Sequence, residues 1–106
     1  MAYSTKFAAG IADQLAEIDS LTTRRMFGAL ALYAGGTIFG MIVDETLYLG
    51  LDAPGFAALR RLGAAPLRPV RRQPDRESAR YISVPLDIID DRDELLAWVR
   101  RAIAAS

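Results

Sequence analysis

Eighteen consecutive residues without a charge, positions 26–43 (MFGALALYAGGTIFGMIV), lie between Arg24-Arg25 and Asp44-Glu45. A membrane-spanning helix needs about 18 to 20 such residues, and the run even holds the Gly36-x-x-x-Gly40 spacing of helix pairs in lipid. As a helix it would be about 27 Å long, barely the hydrocarbon thickness, with Gly28, Gly35, Gly36 and Gly40 inside it. A sheet uses the same residues better. ALALY is a short apolar run, Gly35-Gly36 supplies positive φ for a two-residue turn, and TIFGMIV is rich in strand formers. Asp44-Glu45 marks a second turn, after which TLYLGL alternates through Leu47, Leu49 and Leu51. The pattern continues beyond the run, as a membrane helix would not predict. The sequence therefore predicts three antiparallel strands joined by tight turns, and no membrane anchor.

Helices and two further strands account for the rest. Ser4 or Thr5 is placed to cap a first helix, with Phe7, Ile11, Leu15 and Ile18 on one face. Asp52 precedes Pro54 at the start of a second, which Gly63 stops. LRPVRR reads as an edge strand, because Pro69 has no N–H for a ladder. RRQPDRES is a polar loop, and ARYISVP is a strand ended by Pro85. Asp91 and Glu94 form a capping box for a last helix whose inward face is Leu95, Trp98, Val99, Ala102 and Ile103. The expected order is α-β-β-β-α-β-β-α in one domain, residues 1–106, an α+β class.

Charge and composition narrow the chemistry. The 106 residues carry 13 cations and 13 anions, so no overall field favours nucleic acid or anionic lipid. The charge is unevenly placed: residues 60–80 have a net of +5, against −3 before and −2 after. Without cysteine there is no disulfide or thiol chemistry, and without histidine the commonest general base is missing. Acids enter the N-terminal segment too early for a signal or transit peptide, so a cytoplasmic location is expected.

With these elements in place, RRMFGALALYAGGTIFGMIVDETLYLGLD resembles the signature of the TfoX/Sxy family N-terminal domain, found in bacterial regulators of natural competence. The matching parts are Met26-Phe27-Gly28, Tyr33, Gly36, the apolar strand 39–43 and Leu47-Tyr48-Leu49. ARYISVP and the closing DDRDELLAWVRRAIAAS are similar to the family's strand ending in Val-Pro and its last helix. The resemblance implies a two-layer α+β fold with an antiparallel sheet, related to secretion chaperones. It also implies transcriptional regulation through protein contacts, with no catalytic residues to carry over. Two departures bear on this. The sequence stops at Ser106, where full-length regulators continue into a helical domain, so a stand-alone member is expected; and Gly50 stands where family members often carry Lys.

Three constellations bear on function. Asp87, Asp90, Asp91, Asp93 and Glu94 lack the spacing of a calcium loop and suit a helix start instead. AGGTIFG opens no helix and lacks the Lys of a phosphate loop, so no metal, cofactor or catalytic residue is assigned. The arginines 60, 61, 68, 71, 72, 76 and 80 form the alternative site, a nucleic-acid stripe. As a strand, LRPVRR would split Arg68 and Arg72 from Arg71, which favours a solvated edge over an acidic partner or nucleic acid.

The sheet is more telling. With unbroken ladders, Tyr33, Ile38, Ile42, Leu47, Leu49 and Leu51 share one face. Leu30, Leu32, Phe39, Met41, Val43 and Tyr48 share the other, with Gly50 opposite Phe39. Both faces are apolar, yet helices cover one. The uncovered face is expected to meet a second copy or a protein partner, transcription-related by the resemblance, with Arg68, Arg71 and Arg72 at its edge. The function expected is a non-catalytic regulatory or protein-interaction module.

Overall fold

The computed structural model describes residues 3–68 and 78–106. Helix α1 (Thr5–Gln14) is followed by four strands, β1 (Leu21–Met26), β2 (Ala29–Ala34), β3 (Thr37–Val43) and β4 (Thr46–Gly50). Then come α2 (Ala53–Arg61), β5 (Tyr81–Ser83), the one-turn α3 (Leu86–Ile89) and α4 (Arg92–Ala105). The strands form one antiparallel sheet in the order β1-β2-β3-β4-β5. No helix among the described residues is long and apolar enough to cross a membrane. The eighteen uncharged residues are the last residue of β1, the whole of β2 and β3, and the two turns that join these strands.

Local chemistry sets the element ends. The Ser4 hydroxyl accepts the Phe7 N–H at 3.1 Å, the Asp52 carboxylate accepts Gly55 N–H at 2.8 Å, and Asp91 accepts Glu94 N–H at 3.2 Å. Each satisfies a donor that a helix start leaves unpaired. Gly35 and Gly36 have φ of +59° and +83°, as a two-residue hairpin with the sheet's twist requires. The β1–β2 turn repeats this with Phe27 at +52° and Gly28 at +79°. A left-handed backbone costs a residue with a side chain roughly 1–2 kcal/mol, and Phe27 bears it while 95% exposed.

The sheet departs from the expected ladder at one residue. Leu32 pairs with Gly40 but Tyr33 pairs with Ile38, so Phe39 is an extra residue, a β-bulge. From the bulge onwards β2 shifts by one against β3, and a shift of one exchanges faces. Leu30, Leu32 and Phe39 therefore join Ile42, Leu47 and Leu49 on the helix side. Leu32 is 3% exposed and Phe39 fully buried, and both belong to the main core with α1, α2 and α4. Tyr33 and Ile38 move the other way. Gly40 permits the crowding: a Cβ there would lie 2.8 Å from the Tyr48 carbonyl oxygen and 3.1 Å from a Leu49 methyl.

The helices complete the core over this face. Ile11 and Leu15 lie over Leu21, Leu30 and Leu32, with a hollow of about 270 Å³ between the layers. From α4, Leu95, Leu96, Val99 and Ala102 are buried against the sheet, while Trp98 and Ile103 are partly buried around them. No polar or charged side chain is buried among the described residues.

Further differences from the sequence expectation are local. β1 was not foreseen, since LTTRRM is polar and mostly exposed at the sheet edge, held by its pairing with β2. Of LRPVRR only Leu67 and Arg68 are described. The chain beside β5 is 65–67, where Pro66 bridges Ile82 and Leu67 N–H donates to Tyr81 O at 2.9 Å. Gly50 faces no open surface either: a Cβ there would meet the Tyr81 ring and Arg80 at 3.1 Å.

The bulge makes adjacent positions unequal. Phe39→Ala should cost about 3–5 kcal/mol, whereas Ile38→Ala on the other face should cost about 1 kcal/mol. Urea titrations of the two variants check this; equal losses would contradict the register.

Candidate functional site

The face turned away from the helices is apolar. Ala31 and Met41 are paired across β2 and β3, and Met41 is paired with Tyr48 across β3 and β4. With Ile38 and Val43 they floor a groove of about 570 Å³. One wall is the β1–β2 turn, Met26, Phe27 and Ala29; the other is the segment 65–68 beside β5. No residue of a helix lines it among the described residues. Met41, Val43 and Ile38 are half-buried, as floor residues of a shallow groove should be.

Charged groups sit at the margins, and the Tyr48 phenol lies on the floor. Asp44 lies on the β3–β4 turn with φ of +54°, an arrangement Asp tolerates better than most residues. Burial pushes the Tyr48 phenol above its ordinary value of 10.0, and the neighbouring Asp44 carboxylate raises it further. Arg68 closes the far wall. On β1, Arg24 pairs with Ala31 and so stands on this face, while Arg25, opposite Leu30, belongs to the helix side and its Nε donates to the Tyr3 hydroxyl at 3.2 Å.

Of the residues expected on the uncovered face, the structure brings Met41 and Tyr48 together there with Arg68 at the rim. Leu30, Leu32 and Phe39 are corrected to the core side by the bulge. Arg71 and Arg72 lie outside the described residues. The other described arginines of the cluster do not converge. Arg60 and Arg61 end α2, and an Arg80 Nη donates to Ala105 O at 3.2 Å on α4. Reading the sequence missed Ile38, hidden by the assumed register, and Met26 and Phe27, because β1 was not foreseen. Gly40 was the available signal, since a glycine inside a strand marks a bulge or close backbone approach.

The acidic series near α4 is accounted for by structure. Asp91 caps the helix, and Asp93 and Glu94 lie in its first turn, where the dipole favours anions. No group of three or more potential ligands is placed to hold a metal among the described residues.

A family model described as the TfoX N-terminal domain matches residues 13–106. Among curated proteins none matches the chain.

A raised phenol pKa means that the folded chain keeps the Tyr48 proton after the unfolded chain has released it. Stability from this source is complete below about pH 10 and lost as pH rises through the folded value. Tyr48→Phe should therefore lose less stability than the wild type between about pH 9 and about pH 11, read from urea midpoints. Parallel losses would contradict the buried placement of the phenol.

Proposed function

The chain belongs to the TfoX N-terminal domain family, and from that premise we propose that it is a regulatory module acting by docking on protein, without catalysis. The observation that carries this is the outer sheet face, an apolar groove of about 570 Å³ beside a phenylalanine that is 95% exposed. A sheet face of this kind stays bare only at the expense of solubility, and contiguous exposed apolar surface marks interaction sites. Phe27, Met41 and Tyr48 would supply aromatic and sulfur-bearing contacts of the sort enriched at interface centres.

The family relationship supports a transcription-related role and a place in competence regulation. Groove chemistry supports docking rather than turnover. Asp44 and Arg68 stand at its margins and the Tyr48 phenol on its floor, and its lining holds no Ser, Thr, Cys, His or Lys among the described residues. A nucleic-acid role through residues 60–80 has less support, because Arg60, Arg61 and Arg80 belong to α2 and the α4 end instead of flanking the groove.

Met41→Glu places a charge on the groove floor while leaving the core untouched. The tagged wild type should retain a protein from native lysate after nuclease treatment, and Met41→Glu should lose it with an unchanged melting temperature. Retention by both proteins would remove the groove as the contact. Retention that vanishes with nuclease and falls steeply with salt would turn the reading to nucleic acid.

A further inference from the structure

The outer face carries a hollow and a projection together. The hollow is the groove floored by Met41 and Tyr48; the projection is Phe27, which helps line its wall yet is 95% exposed. Its φ of +52° is one that bulky L-residues rarely adopt. Strain of this kind persists where the surroundings hold it, and it gathers at binding sites and switches. Among the described residues the ring is covered by almost nothing, so it is free to make an external contact.

The same face also carries both signs of charge. Arg24 stands beside Ala31 on β1, and Asp44 stands at the β3–β4 turn. Neither takes part in an ion pair among the described residues. Arg25, by contrast, is on the helix side and engaged with Tyr3. Arg68 lines the same groove but is already engaged within the chain, and a partner of one charge would complement only one of the other two groups. A two-fold copy complements both, because an isologous interface applies one patch to itself.

We propose that the occupant of the outer face is a second copy of this chain, related by a two-fold axis. Phe27 of each copy enters the groove of the other, and Arg24 of each faces Asp44 of the other. This rests on the docking reading of the same face and names its partner. Burying the two rings and grooves against each other removes the apolar face from water, and the crossed charge pairs fix the orientation.

Light scattering after size exclusion, at tens of micromolar, tests the proposal. The wild type should have twice the 11.6 kDa of the chain. Phe27→Asn should give the single mass while its circular dichroism stays that of the folded wild type, since the site is exposed and Asn tolerates its backbone. Arg24→Glu and Asp44→Lys alone should each be monomeric, because like charges meet twice across the two-fold. An equimolar mixture of the two variants should recover the double mass, since the mixed dimer has two opposite-charge pairs. If Asp44→Lys does not fold, the Phe27→Asn result still decides.

A wild type of single mass would overturn the proposal, as would a dimer unaffected by Phe27→Asn. A mixture that stays monomeric would overturn the charge pairing. A monomer that loses a lysate protein on Met41→Glu would overturn the second copy while leaving the docking reading standing. Loss of neither association nor capture in that variant would end both.

Discussion

Phe39 is the residue on which the arrangement turns. It is one residue more than β2 can pair, and the bulge it forms drives its ring into the core. The same shift sends Leu30 and Leu32 to the helix side and Tyr33 and Ile38 to the other. Because side chains alternate along a strand, one inserted residue redistributes a whole face. Gly40 is its necessary neighbour, since backbone from β4 and a Leu49 methyl occupy the space a side chain would need. The core is filled by the most apolar residues of β2 and β3, and the outer face receives Ala31, Ile38, Met41 and Val43.

That division gives one sheet two unlike faces. On the helix side Phe39, Ile42, Leu47, Leu49, Leu95 and Val99 are buried, and their packing stabilises the fold. On the other side the residues are still apolar, Ala31 and Val43 being smaller and Met41 more adaptable, and with Ile38 they line a shallow groove. Methionine suits a surface that must fit another body, being unbranched and polarisable. The rim is set by turns whose backbone is already committed: Phe27-Gly28 at one side and Asp44 beside it, both at the same end of the meander. Core and groove therefore share a backbone but divide its faces.

Much of this was legible in the sequence. Ser4 or Thr5, Asp52 and Asp91 predicted the three longer helix starts, and Gly35-Gly36 and Asp44-Glu45 predicted two hairpins, because capping and positive φ are local chemistry. The β3–β4 register followed directly from the two-residue turn. The family signature, built on Met26-Phe27-Gly28 and Leu47-Tyr48-Leu49, agrees with the family match over residues 13–106. The β2–β3 register was not legible from the turn, since a bulge leaves the turn intact and shifts pairing beyond it. Gly40 hinted at it without fixing on which side of the strand the extra residue falls. β1 escaped for a different reason: Thr22, Thr23, Arg24 and Arg25 give no alternation, and an edge strand needs none when its neighbour supplies the pairing. For the outer face, pattern alone showed that an apolar surface would be left over but misassigned Leu30, Leu32 and Phe39 to it.

The register across β2 and β3 is the most direct test, because both the core and the outer groove follow from it. Cross-strand nuclear Overhauser contacts in the labelled protein report it residue by residue. The structure predicts contacts joining Leu32 to Gly40 and Ala31 to Met41, with Tyr33 joined to Ile38. Contacts joining Leu32 to Phe39 and Ala31 to Gly40 would contradict it, returning Leu30, Leu32 and Phe39 to the outer face.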